Sequence, residues 1–256
     1  MDWKEYASLQ AADENAQVAL LMVNADTGDV MLDVRKEERV VSASTIKVAI
    51  MLTVLDAVKK GEITLDQEIF VPEEYVLEDS TVFEYGAQSM SIDELIKWMI
   101  TISDNTATNA LIRFMGMDRI NDYALSIGLK SSRVERVMLD FAAVERGLNN
   151  YTSAQDQCDM FLKLYHKSIL TPELCEYAMN VLLGQRWKDS LMRYIPGQVK
   201  VAHKDGSLDY LNHDSALFYL DSIRYYLGVF VWNAPSNNYA QRIIGRIGKR
   251  VYDEFK

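Results

Sequence analysis

The spacing of hydrophobic residues changes twice along this chain. Gln17 to Asn24 and Asp29 to Val34 read as two strands, with Asp26-Thr27-Gly28 as the turn between them. A helical segment from about Trp3 to Asp13 precedes them. From Ser44 to Lys60 the residues are apolar nearly all round, which predicts a buried helix stopped by Gly61. Ser91 with Glu94 forms a capping-box pattern opening a helix to about Ile102. Further helices are predicted over Thr106 to Met115, closed by Gly116, and Asp118 to Ile127, closed by Gly128. Another follows Thr152-Ser153 as far as Lys167. Thr171-Pro172 supplies an N-cap with proline at the first helical position, and Gly184 ends that helix. Strand patterns return at Val199 to Lys204, Asp214 to Leu220 and Tyr225 to Trp232. An amphipathic helix from Ser236 to Phe255 closes the chain.

Strands therefore lie at both ends and helices in the middle. The economical architecture is an α/β (α+β) fold with one antiparallel sheet built from both chain ends. Terminal helices flank it, and an all-helical lobe is inserted. Residues 1–60 and 190–256 form the sheet domain in this reading, and 61–189 the helical one. The cleft between two such lobes suits a small-molecule site.

Composition narrows the function. The chain has 256 residues, 49% of them hydrophobic and 25% charged, with a net charge of −10. Disorder is excluded by the first two figures, and the acidic balance disfavours nucleic acid and anionic membranes. The two cysteines, Cys158 and Cys175, fall in helical patterns and read as buried free thiols. Neither they nor the three histidines have metal-ligand spacing, so no metal or other cofactor is expected. The start, Met1-Asp2-Trp3-Lys4-Glu5, carries no signal-peptide pattern. The reading is a cytoplasmic protein or one whose leader has been trimmed. Val48 to Leu55, the longest apolar stretch, is too short to span a bilayer. A monomer is expected.

Three short motifs carry chemistry. Ser44-Thr45-Ile46-Lys47 puts a hydroxyl and an amine three residues apart, on one face of a helix. Such a spacing arises about once by chance in a chain of this length. Its lysine, however, lies in the most apolar helix of the protein, where an idle charge would be costly. Burial would lower the lysine pKa, as a lysine base requires. Ser103-Asp104-Asn105 falls between two helices. A tripeptide of this kind is expected only about 0.03 times by chance. Lys204-Asp205-Gly206-Ser207 lies at the end of a predicted strand, followed by a small-residue turn.

These three motifs, in this order and at these separations, resemble the superfamily of class A β-lactamases and penicillin-binding proteins. The resemblance runs from about Val18 to Phe255. It takes in Gly61-Glu62-Ile63-Thr64-Leu65-Asp66 after the nucleophile helix, and Arg136 to Thr152 where the family has an omega-shaped loop. It implies a serine hydrolase that forms an acyl-enzyme on a β-lactam or a related amide or ester. Ser44 would be the nucleophile, Lys47 its base and Ser103 the group that hands a proton to the leaving nitrogen. Asn105, Lys204, Asp205, Gly206 and Ser207 would bind substrate. The backbone N–H groups of Ser44 and Ser207 would form the oxyanion hole.

Two departures stand out. The family's lysine triad usually has Thr or Ser in the middle, where this chain has Asp205. Either Asp205 pairs with Lys204, or the substrate is not the usual anionic β-lactam. The omega-loop segment also lacks a clean counterpart of the glutamate that activates the deacylating water. Asp140 is the nearest carboxylate in register, and Glu145 is the alternative. If neither reaches the water, the acyl-enzyme forms but hydrolyses slowly. That would make a penicillin sensor or binding module, or an esterase or amidase on a non-β-lactam substrate.

Overall fold

Both faces of the strand from Gln17 to Asn24 are buried, so the sheet that contains it needs cover on two sides. The computed structural model describes residues 1–12 and 16–256 and provides that cover. Along the chain, α1 (Trp3–Ala11) leads to β1 (Gln17–Asn24), β2 (Val30–Val34) and β3 (Val40–Val41). A 3₁₀ turn at Ala43–Ile46 feeds α2 (Lys47–Lys59), then β4 (Glu68–Val71) and β5 (Gln88–Ser91). Helices α3 (Ile92–Thr101), α4 (Asn105–Met115), α5 (Met117–Ser126) and α6 (Phe141–Glu145) come next. β6 (Tyr151–Thr152), α7 (Ala154–Tyr165) and α8 (Pro172–Leu183) complete the lobe. The chain returns through β7 (Lys200–Leu208), β8 (Leu211–Tyr219), β9 (Arg224–Trp232) and α9 (Asn237–Phe255). The predicted end of the first helix, Asp13, lies outside the described residues.

The sheet has the order β2-β1-β9-β8-β7, with antiparallel neighbours throughout. It joins both ends of the chain, as Leu20 opposite Val229 illustrates. Alternation along β1 then sorts two cores. Val18, Leu20 and Met22 face α1 and α9, whose Trp3, Ala7, Ile243, Ile244 and Ile247 cover them. Ala19, Leu21 and Val23 face the inserted lobe. Helix α2 packs against α3, α4, α5, α7 and α8 of that lobe and is buried from Lys47 to Ala57. This explains why its sequence is apolar on every side.

Two sequence expectations need correction. The inserted lobe is not purely helical, because β4 pairs antiparallel with β5, and β3 pairs with β6. These ladders are two to four residues long, too short to impose a period on the sequence. In addition, Lys204-Asp205-Gly206-Ser207 does not sit at a strand end. β7 continues through it to Leu208, paired with β8 residue by residue, and the hairpin turn falls at Asp209-Tyr210. Cys158 and Cys175 are buried free thiols, as the pattern predicts. Among the described residues no helix is long and apolar enough to cross a membrane.

Candidate active site

The segment carrying Ser44 is tied down on every side. Ser42 N–H donates to Asn150 O at 2.8 Å, and Gln157 Nε2 donates to Thr45 O at 3.1 Å. Thr45 Oγ1 donates back to Ser42 O at 2.7 Å. That local bond tightens the chain into a 3₁₀ turn, where an α-helical first turn was expected. The tighter turn suits the motif, because residues three apart eclipse one another in a 3₁₀ helix. Behind it, burial pushes the His213 imidazole down to about 4, so it is neutral at pH 7. Its Nε2 lies 2.9 Å from Val41 O, and its Nδ1 lies 2.7 Å from Asn212 O and 3.2 Å from Val231 N. Nothing in the local sequence signals this role for His213.

Lys47 occupies the centre of the site and is fully buried. Its Nζ lies 2.6 Å from Ser103 O, 2.8 Å from Asn105 Oδ1 and 3.0 Å from Ser103 Oγ, so a neutral amine there donates to the two carbonyl oxygens and accepts from the hydroxyl. Burial holds its pKa well below that of an ordinary lysine, and the Lys204 charge pushes it the same way. Asp104, Asp205 and Asp79 oppose the shift without reversing it. An amine in this state can accept a proton from a hydroxyl beside it.

The loop Ser103-Asp104-Asn105 is bent so that it meets Lys47 with both backbone and side chain. Ser103 has φ of 64°, a left-handed conformation unusual for serine. Asp104 is the N-cap of α4, accepting from Ala107 N–H at 2.8 Å and from Ser80 Oγ at 2.6 Å. Asn105 Nδ2 donates to Asp79 Oδ2 at 2.7 Å, which turns its Oδ1 toward Lys47. On the opposite wall Lys204 is fully buried and donates to Ser103 Oγ at 3.1 Å. The Ser103 hydroxyl therefore lies between two amines. Ala43, just before Ser44, and Leu139 also have positive φ. Backbone strain of this kind, about 1–3 kcal/mol each, tends to gather at functional clefts.

Gly206 explains how β7 comes against the turn that carries Ser44. A Cβ there would lie 2.8 Å from Ser44 N and 3.1 Å from Thr45 N. Only glycine lets the strand edge approach this closely. Gly206→Ala is expected to push β7 off the turn and cut acylation about a hundredfold, the scale of losing one oxyanion donor. Stopped-flow acylation beside a thermal melt tests this. An unchanged rate in a folded variant would show that the approach is not needed. Ser207 is exposed, and its Oγ accepts from Asn237 Nδ2 at 2.9 Å.

Asp205 does pair with Lys204, with Oδ1 at 3.0 Å from Nζ. Gln185 Nε2 also approaches Oδ1, at 3.3 Å. A cavity of about 50 Å³ beside Ser44 is lined by Asn105 and Ser207 and, on the omega-loop side, by Arg136, Met138, Leu139, Phe141 and Asn150. Met138 is fixed through its backbone, with its N–H donating to Asn109 Oδ1 at 2.6 Å and its O accepting from Asn109 Nδ2 at 3.1 Å. Asn109 is fully buried on α4, one turn beyond Asn105. A buried asparagine one helical turn from the motif was the available sequence signal. Arg136 donates Nε to Asn149 Oδ1 and NH1 to Val137 O, bracing the loop internally. Asp140 caps α6, accepting from Ala143 N–H at 2.9 Å. Glu145 lies exposed at the end of that helix. Neither carboxylate lines the cavity beside Ser44.

Comparison with known proteins follows from this geometry. The model of a family described as the beta-lactamase enzyme family matches residues 3–255. The chain belongs to that family. A beta-lactamase from Bacteroides uniformis is 26% identical over 234 residues, covering 83% of this chain and 78% of the relative. The D-alanyl-D-alanine carboxypeptidase DacF of Bacillus subtilis is 25% identical over 158 residues. That match spans 59% of this chain and only 39% of the carboxypeptidase. Among solved structures, a beta-lactamase from Sphaerobacter thermophilus superposes with a TM-score of 0.89 at 26% identity, covering 100% of this chain and 98% of the other. PBP-A has the same fold, with a TM-score of 0.89 at 24% identity over 99% of this chain and 95% of its own. The beta-lactamase fold predicted from the motifs is thus the fold of this family member.

Proposed function

We propose that this protein is a serine acyl-transfer enzyme that forms an acyl-enzyme on Ser44 and releases it slowly. The observation that carries this reading is the fully buried Lys47 amine, one 3₁₀ turn from Ser44 and bonded to Ser103 and Asn105. Neutral Lys47 takes the Ser44 proton as Oγ attacks the carbonyl carbon. Backbone N–H groups of Ser44 and Ser207 hold the oxyanion. The tetrahedral intermediate collapses, the bond to the leaving nitrogen or oxygen breaks, and Ser103 delivers a proton to it. Lys47 and Lys204, both bonded to Ser103 Oγ, supply the return path. The names of the relatives support a β-lactam or a related amide or ester as acyl donor.

Slow release rests on a second observation. The omega-loop wall of the cavity beside Ser44 is built from Arg136, Met138, Leu139, Phe141 and Asn150, and none of these is a carboxylate that could take a proton from water. Asp140 is engaged as a helix cap and Glu145 is exposed, so neither is assigned the role of activating it. Intact-mass measurement over time, with the methyl ester of penicillin G and with a small uncharged ester, tests both parts. A covalent adduct that persists for many minutes is expected, and Ser44→Ala should remove it. Labelling that survived in Ser44→Ala would assign the nucleophile elsewhere. An adduct that disappeared within seconds would overturn the slow release.

A further inference from the structure

We propose that the leaving-group side of this site selects a cationic substrate and rejects a carboxylate, with Asp205 as the selecting residue. The inference rests on the acyl-enzyme reading above and names the substrate class for that site.

The first support is accessibility. Lys204 and Asp205 form an ion pair, but their side chains are 0% and 23% exposed. The lysine is enclosed and already engaged with Ser103 Oγ, Asp205 O and Asp205 Oδ1. A ligand arriving from solvent meets the carboxylate first. Both bonds to Asp205 from Lys204 and Gln185 fall on Oδ1, so the carboxylate has a second oxygen to offer.

The second support is the balance of charge. Of the charges that act on Lys47, Lys204 is cationic, while Asp104, Asp205 and Asp79 are anionic. With Lys47 neutral, as a base must be, the surroundings are net negative. The nearby arginines redress this only in part: Arg136 lines the Ser44 cavity but is buried and braces the omega loop, and Arg186 lines the Ser103-side cleft with its guanidinium over the Trp98 ring at 5.6 Å. His213 is neutral and bonded to Val41 O. A carboxylate placed beside Asp205 is repelled, and a cation there is attracted.

The third support is the shape on the Ser103 side. Ser103 delivers its proton to the leaving group, so the leaving group lies on that side. A cleft of about 900 Å³ opens there, with the carboxylates of Asp79, Glu94 and Asp104, the guanidinium of Arg186, and Trp98 and Trp187 in its walls beside Ser103. Trp187 Nε1–H donates to Ile102 O at 2.9 Å, fixing the ring at the edge of the cleft next to Ser103. Gln185, which holds Asp205, lies two residues before it. Three carboxylates against one guanidinium leave the cleft net negative, which favours a cation.

A matched set of thioesters tests the assignment. One N-acyl-alanine group is joined to three thiols ending in trimethylammonium, carboxamide or carboxylate. In each, the Ser44 Oγ–carbon bond forms, the carbon–sulfur bond breaks and the thiol leaves with the proton. Intact mass then reads the rate of Ser44 acylation. The trimethylammonium thioester is expected to react about tenfold faster than the carboxamide, and the carboxylate slowest. Asp205→Asn is expected to erase the advantage of the cationic thioester over the carboxamide. A carboxylate thioester that reacted as fast as the cationic one would overturn the proposal. So would a cation preference unchanged in Asp205→Asn. If none of the three labelled Ser44, the acyl-enzyme reading itself would fall, and this inference with it.

Discussion

Lys47→Met slows acylation of Ser44 by about a thousandfold, within the range measured for removal of a general base. Methionine preserves the length and apolar contacts of the side chain within a helix that is buried from Lys47 to Ala57. What it removes is the nitrogen that bonds Ser103 O, Ser103 Oγ and Asn105 Oδ1. The pH profile distinguishes a lost base from a packing defect. A lysine accepts a proton only when deprotonated, so the acylation rate rises as pH passes upward through its pKa. Burial and the Lys204 charge lower that pKa well below 10.5, which moves the rising limb down by the same amount. Wild type should show this limb and Lys47→Met should lack it, read as single-turnover acylation across pH. A methionine variant that kept the wild-type rate would remove Lys47 from the reaction.

Met138→Glu shortens the lifetime of the acyl-enzyme by about a hundredfold. Met138 lines the small cavity beside Ser44, and its backbone is fixed at both ends by Asn109. A carboxylate placed there would face the ester carbonyl and could take a proton from an entering water. The position is largely buried, so the new acid would ionise at a higher pH than a solvated glutamate. Deacylation in the variant should therefore rise with pH, while acylation stays near wild type. Pulse-labelling followed by intact mass measures both. An adduct with unchanged lifetime would mean that something other than a missing base limits release.

The parts of this molecule most legible in the sequence are those set by local rules. Ser91 with Glu94 does form a capping box, and Thr171-Pro172 does open α8. The sheet was readable because its strands alternate or run apolar and its two ends could only pair with each other. Lys47 and Lys204 do meet at Ser103 Oγ, each within hydrogen-bond distance of it. The less legible parts depend on contacts distant in sequence. The 3₁₀ turn at Ser44 arises from Ser42 and Thr45 bonding within their own backbone, against a helical pattern. The placement of Met138 depends on Asn109, 29 residues away. Asp140 is a carboxylate in register whose work is to cap a five-residue helix, which only coordinates reveal.

Sheet order also carries a lesson about timing. Because β1 is completed by β9, and Ser103 meets an amine from β7 as well as one from α2, the halves of the machine are made far apart on the ribosome. Ser44 and Lys47 are translated well before β7, β8 and β9, the strands that complete the sheet. Pairings this distant close late and fold slowly. The site is thus incomplete until β7 has been translated, and a stop before residue 200 leaves Ser44 and Ser103 without Gly206 and Lys204 beside them.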